Sequence, residues 1–159
     1  MYDMFLVFLV CIATTVLSFI LTYVYKIVAV KLNFVDVPEA RRVHSKVMPT
    51  MGGIAVFIAY YLSLFVLLPI PDEQLLPVFI GSLVVLLTGI IDDRKNLTPI
   101  LKVLGILVGA LLVYFYGDIS LETMTLPIVG TLEFGSWSLP FTLLWILGFT
   151  NAVNLIDGL

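Results

Sequence analysis

Residues 75–102 read LLPVFIGSLVVLLTGIIDDRKNLTPILK. From 75 to 91 the run is apolar and carries no charge, and it ends abruptly on Asp92, Asp93, Arg94, Lys95 and Asn96. Thr98 and Pro99 then open a second apolar run, with Thr a good helix cap and Pro suited to the first helical position. Crossing the hydrocarbon core of a bilayer, about 30 Å thick, takes about 20 apolar residues in a helix. The stretch therefore predicts two membrane-spanning helices that cross in opposite directions and meet at a charged break.

The rest of the chain follows the same plan. Of its 159 residues 61% are hydrophobic and 12% charged, and the mean hydropathy is +1.15. A soluble domain carries about 25% charged residues, and so short a chain has too little interior to hide this much apolar surface from water. The expected fold class is an all-α integral membrane protein of about five spanning helices, at 4–30, 52–70, 75–91, 98–117 and 139–156. Asp72, Glu73 and Gln74 read as a short loop before the third helix. Residues 121–135, LETMTLPIVGTLEFG, flank Val129 and Gly130 with β-branched and apolar residues, which predicts a small β-hairpin between helices four and five. The first apolar run lacks a basic start and a small-residue cleavage site, so it is expected as a retained helix. Cys11 stands alone, which excludes a disulfide framework. The net charge of -3 gives no reason to expect a nucleic-acid partner.

All eight basic residues, Lys26, Lys31, Arg41, Arg42, Lys46, Arg94, Lys95 and Lys102, lie in or beside the first and third interhelical loops. The second and fourth loops carry none. Positive loops stay on the cytoplasmic side, and alternate loops must lie on opposite sides. The expected topology is a multi-pass plasma-membrane protein with its N-terminus outside and its hairpin extracytoplasmic. Three polar clusters, at 41–53, 92–102 and 151–158, are then expected on one cytoplasmic face.

These clusters hold the residues able to do chemistry. Asp92 and Asp93 end an apolar helix, where carboxylates oppose the helix dipole at about 0.3–1 kcal/mol each. Paired carboxylates suit Mg2+, which takes oxygen ligands and usually reaches a protein through one or two carboxylates plus substrate phosphates. Such residues serve equally as an interfacial cap neutralised by Arg94 and Lys95. Asn151, Asn154 and Asp157 recur at three-residue spacing and form a polar stripe at membrane depth, facing either a lined cavity or a neighbouring helix. Arg41, Arg42, His44 and Lys46 precede Pro49, Gly52 and Gly53. The basic patch suits anionic headgroups or a nucleotide diphosphate, and the glycines permit close approach of a phosphate or of another helix. Lys102, one turn into helix four, either snorkels or faces a phosphate.

Together HSKVMPTMGG (44–53), GIIDDRKNLTPILK (89–102) and FTNAVNLIDGL (149–159) resemble the polyprenyl-phosphate N-acetylhexosamine-1-phosphate transferases of glycosyltransferase family 4, which include the MraY, WecA and TagO enzymes. Each motif alone is modest; the three in this order are specific, and the resemblance runs over essentially the whole chain. It implies transfer of a sugar-1-phosphate, N-acetylglucosamine-1-phosphate in the nearest relatives, from a UDP-aminosugar to a membrane polyprenyl phosphate, with release of UMP. It implies Mg2+, with Mn2+ as substitute, and a role in cell-wall or surface polysaccharide synthesis; a homodimer is a further partner considered. Asp92 and Asp93 match the family's acidic pair, Lys102 its phosphate-side lysine and Asp157 the first Asp of an NxxDGxD-type motif. These three aspartates are the expected catalytic and metal-binding residues, their division of labour open. His44, Lys102, Asn151, Asn154, Gly52 and Gly53 are the expected substrate-binding residues.

The departures are Thr50, where many relatives carry Arg, and Ile106, where close relatives carry Gln. The family motif also continues with another Asp past Leu159 and, further on, a His-rich loop. The expectation is thus an N-terminal half that is inactive alone. Two rival readings stand beside it: a non-catalytic membrane module that binds anionic lipid, and another lipid-phosphate enzyme such as a CDP-alcohol phosphotransferase, whose acidic motif is absent here.

Overall fold

A computed structural model describes residues 3–32, 34–36, 48–68, 70, 72–127 and 130–157. The chain divides into two compact units, Met1–Ile70 and Pro71–Leu159.

The first unit is a helix pair. Helix α1 (Met4–Lys31) has 28 residues and is capped by Asp3, whose side chain accepts from the Phe5 N–H at 3.1 Å. At 1.5 Å rise per residue it reaches about 42 Å, longer than the hydrocarbon core. Helix α2 (Gly53–Leu67) has 15 residues. It stops before the expected boundary of 70 because Leu68 precedes a proline and is extended, with φ −116° and ψ 131°. Ala55, Ala59 and Ser63 recur every fourth residue on α2 and are buried, as is Ala29 on α1. Small side chains let two backbones approach closely, which is how helices associate where lipid removes the hydrophobic drive. Between the helices lies an element not expected from the sequence, a two-residue antiparallel ladder of β1 (Val35–Asp36) and β2 (Met48–Pro49). It brackets residues 37–47, so Arg41, Arg42, His44 and Lys46 lie outside the described residues.

The second unit contains α3 (Asp72–Lys95), α4 (Pro99–Gly117), a hairpin of β3 (Thr123–Leu126) and β4 (Gly130–Glu133), a 3-10 turn (Gly135–Trp137) and α5 (Ser138–Asp157). Helix α3 exceeds the expected 75–91 at both ends. The stretch read as a loop, 72–74, is its first turn. Asp92 and Asp93 are helical rather than terminal, because the helix ends only at Asn96, whose φ of 48° is the left-handed conformation that Asn tolerates. Helix α4 begins as expected: Thr98 accepts from the Leu101 N–H at 3.4 Å, and Pro99 takes the first position.

Helices α3 and α4 pack antiparallel along a seam in which glycines face glycine, valine and threonine. A Cβ on Gly81 would lie 2.7 Å from the Gly109 carbonyl oxygen, and one on Gly109 would lie 2.6 Å from the Gly81 oxygen. One turn further on, a Cβ on Gly105 would overlap the Thr88 side chain. Gly105 and Gly109 form the G-x-x-x-G spacing of tight helix pairs, and Ile106 and Ala110 beside them are buried. Ile106, the departure noted above, is thus a core residue at 2% exposure.

The expected hairpin is present, with Thr123 opposite Glu133 and Leu126 opposite Gly130. A two-stranded ribbon is marginal alone. Here Phe134 at its end stacks on Phe141 of α5, with ring centroids 4.3 Å apart. The Thr142 hydroxyl accepts from the Leu121 N–H at 2.8 Å and donates to the Ser138 carbonyl at 2.7 Å. These contacts place the start of α5 beside the chain leaving α4, so α5 runs back antiparallel to α4. The C-terminal ends of α3 and α5 and the N-terminal end of α4 therefore lie at one end of this unit, and the hairpin at the other.

Among the described residues three helical stretches are long and apolar enough to cross a membrane, Met4–Lys31, Leu75–Lys95 and Pro99–Gly117. Gly53–Leu67 is apolar but shorter. Large side chains such as Phe19, Tyr23, Val66, Ile100 and Phe149 stand exposed on the outer helix surfaces, as expected for a protein whose solvent is lipid.

Candidate active site

The α3–α4 seam decides where Asp92 points. Gly81, Val85 and Thr88 of α3 meet Gly105, Gly109 and Val113 of α4. The spacing of four, three and four carries the same α3 face to Asp92, and three residues before Gly105 the same α4 face reaches Lys102. The last rung of the seam is an ion pair: Lys102 Nζ donates to Asp92 Oδ2 at 2.7 Å. Both side chains are about four-fifths buried, at 21% and 20% exposure for Lys102 and Asp92. Asp92 Oδ1 also accepts from the Leu97 N–H at 3.1 Å, while its backbone carbonyl accepts from the Asn96 N–H at 2.8 Å. One carboxylate thus fastens the break between the two helices and holds a cation at its mouth.

Asp93 is different. Successive helical residues point about 100° apart, and Asp93 is exposed where the Asp92 side chain is mostly buried. The two side chains therefore leave the helix in different directions, Asp92 toward Lys102 and Asp93 toward the surface beside it. A carboxylate offers about four lone-pair positions, so Asp92 keeps acceptor capacity beside Lys102, and Asp93 presents its carboxylate at the surface. Arg94 and Lys95 follow in the last turn of α3.

On α5, the Asn151 side-chain amide donates back to the Leu147 carbonyl at 2.9 Å, one turn earlier on its own helix. Asn154 is exposed. Asp157 closes the helix, and its side chain lies outside the described part of the structure, as does Gly158. In the first unit Gly52 precedes α2 with nothing within 4 Å of a Cβ built on it, so packing within the described residues does not require a glycine there. Gly53 is the first residue of α2. The structure therefore joins Asp92 to Lys102 and sets Asp93 next to them. It leaves the stripe at 151–157 at the same end of the second unit.

Among the described residues no three His, Cys, Asp or Glu side chains come together as a metal cage. Mg2+ does not need one: it is commonly held by one or two carboxylates, with phosphate oxygens and water completing the shell. Asp92 and Asp93 fit that pattern of hard oxygen donors. At the opposite end of the unit, Asp118, Glu122 and Glu133 line a separate polar cavity, and no basic side chain lies among its lining residues. The basic residues of the second unit, Arg94, Lys95 and Lys102, thus lie at the Asp92 end, while the charged residues at the hairpin end are acidic.

Sequence reasoning missed the glycine seam that aims Asp92, although its signal, GILVG at 105–109, is legible in an apolar helix. It also missed the β1–β2 ladder, whose strands are too short to leave a pattern.

The chain is 34% identical over 141 residues to a probable undecaprenyl-phosphate N-acetylglucosaminyl 1-phosphate transferase of Bacillus subtilis, covering 88% of this chain and 39% of the relative. It is 32% identical over 146 residues to an undecaprenyl-phosphate alpha-N-acetylglucosaminyl 1-phosphate transferase of Thermotoga maritima, covering 91% and 43%. A phospho-N-acetylmuramoyl-pentapeptide-transferase of Lacticaseibacillus paracasei is 32% identical over 126 residues, covering 70% and 39%. The chain thus spans about two fifths of the length of these relatives. No solved structure matches it. The model of glycosyl transferase family 4 matches residues 75–159, the segment that contains the glycine seam, the Asp92–Lys102 pair and the α5 polar stripe; with more than half of its length matched, the chain belongs to that family.

Proposed function

We propose that the protein moves a sugar-1-phosphate, N-acetylglucosamine-1-phosphate, from a UDP-sugar to a polyprenyl phosphate and releases UMP. The observation that carries this reading is the fixed Asp92–Lys102 pair with Asp93 at the surface beside it, inside the segment that the family matches. The names of the relatives support the same chemistry. An oxygen of the lipid phosphate attacks the sugar-bearing phosphorus. The new P–O bond forms as the bond from that phosphorus to the bridging oxygen breaks, and UMP leaves with the bridging oxygen and its electron pair. Two anionic reactants must meet, so the cations near them decide the rate. Lys102, held by Asp92, supplies one fixed positive charge without reorganisation. Asp93 and Asp92 would hold Mg2+, which neutralises phosphate charge when bound, with Asp157 as a third candidate ligand.

In this reading the helices form five spans in a plasma membrane. The Asp92 end faces the cytoplasm, the basic side by the positive-inside rule, and the hairpin and N-terminus lie outside. His44, Gly52, Gly53, Asn151 and Asn154 contact the nucleotide sugar or the lipid phosphate. The test uses the full-length protein in detergent with Mg2+, polyprenyl phosphate and UDP-N-acetylglucosamine, and identifies the nucleotide product. UMP formed only when the lipid is present supports the reading. UDP as product, or no nucleotide at all, contradicts it.

A further inference from the structure

The segment that joins the ladder to α2 is held in a shape it would not adopt unaided. Met51 has φ 63°, a left-handed conformation that costs a side-chain-bearing residue about 1–2 kcal/mol. Such outliers persist only where the surroundings hold them in place. Here Thr50 is gripped on both sides. Its N–H donates to the Phe34 carbonyl at 3.0 Å, extending the β1–β2 ladder. Its carbonyl accepts from the Tyr25 hydroxyl of α1 at 2.9 Å. Tyr25 is itself half-buried and lies one turn before Ala29, which is completely buried.

We propose that Tyr25 is a positioning residue. Its hydroxyl holds the strained turn at 50–53 so that Gly52 and Gly53 stand where the nucleotide sugar approaches. This inference rests on the reading that those glycines contact substrate. The reading has structural support of its own in the empty space around Gly52, whose φ of −56° any residue adopts. The space beside Gly52 is open among the described residues, which leaves room for a ligand to approach its backbone. Tyr25 itself need not touch that ligand.

The test is steady-state kinetics on the full-length protein with Tyr25→Phe, which removes one oxygen and keeps the ring. Losing one neutral hydrogen bond should raise the KM for the UDP-sugar about three- to tenfold, with kcat and the KM for polyprenyl phosphate little changed. Met51→Gly relieves the strain, so in that background the added effect of Tyr25→Phe should shrink to less than twofold. Gly52→Ala separates the two claims. If Gly52→Ala raises the KM for the UDP-sugar but Tyr25→Phe leaves it unchanged, the role of Tyr25 is refuted while the substrate reading stands. If Gly52→Ala and Tyr25→Phe both leave it unchanged, the substrate reading of this turn fails and the inference fails with it. A Tyr25→Phe variant that only melts earlier, with unaltered KM, also overturns the proposal.

Discussion

Replacing Gly109 by alanine puts a methyl group where the α3–α4 seam has no room. The added Cβ would sit 2.6 Å from the Gly81 carbonyl oxygen and 2.7 Å from Val85 Cγ2. Favourable contacts of this kind begin at about 3.5 Å, so the helices must part by about 0.8–1 Å. Overpacking of this size costs about 1–3 kcal/mol. Against it works the better helix propensity of alanine, about 0.8–1 kcal/mol. Gly89 supplies the control, because a Cβ there meets nothing within 4 Å and only the propensity gain remains. The difference in stability between Gly109→Ala and Gly89→Ala therefore isolates the packing penalty, expected at about 1–3 kcal/mol. It is read from thermal or denaturant unfolding of the full-length protein in detergent. The same movement would stretch the Lys102–Asp92 contact from 2.7 Å to about 3.5 Å or more, beyond good hydrogen-bond geometry, so Gly109→Ala should also lower UMP release. Rescue depends on what blocks the methyl. Gly105→Ala meets the Thr88 side chain, and Thr88→Ala should recover much of the loss. Val85→Ala should not rescue Gly109→Ala, because the Gly81 backbone oxygen remains. Equal stability of Gly109→Ala and Gly89→Ala would refute the seam, and with it the account of how Asp92 is aimed.

Lys102→Gln leaves the Asp92 carboxylate about four-fifths buried without its cation; UMP release should fall by about 10²-fold or more, and the protein should also melt earlier. Asp93→Asn should lower UMP release comparably, yet shift the melting temperature less than Lys102→Gln does, because Asp93 is exposed; a normal rate would make it an interfacial cap. Thr142→Val leaves the Leu121 N–H without its acceptor and should cost about 1–3 kcal/mol, with little change in the KM of either substrate; an unchanged melting temperature would remove Thr142 as the fastening of the hairpin to α5. Single cysteines at 44, 96 and 158 should label from the cytoplasm and those at 72 and 122 from outside; labelling of position 96 from outside would sink the five-span arrangement.

Much of this was legible because membrane helices leave simple traces. The charge-free run before Asp92 and the Thr98–Pro99 start fixed α3 and α4 within a few residues. The hairpin was legible from β-branched residues around Gly130, whose φ of 88° suits glycine. Less legible was what depends on neighbours. The end of α3 moved past Asp93 because Asn96 takes the left-handed cap, a choice that local propensity does not dictate. Asp92 and Asp93 look alike in sequence, yet one faces α4 and the other the surface, and only the seam of glycines separates them. The contact from Tyr25 to Thr50 joins residues far apart in the chain and has no local signal. His44 and its basic neighbours, prominent in the sequence, lie outside the described residues.

The central claim is that the phosphate attached to the sugar moves with the sugar. Full-length protein, Mg2+ and polyprenyl phosphate are supplied with UDP-N-acetylglucosamine labelled with 32P at the sugar-bearing phosphate, and the label is followed between lipid and water. The account predicts that label enters the lipid fraction in step with unlabelled UMP in the aqueous one. Label that stays in the water as UDP while the lipid gains sugar alone would contradict it.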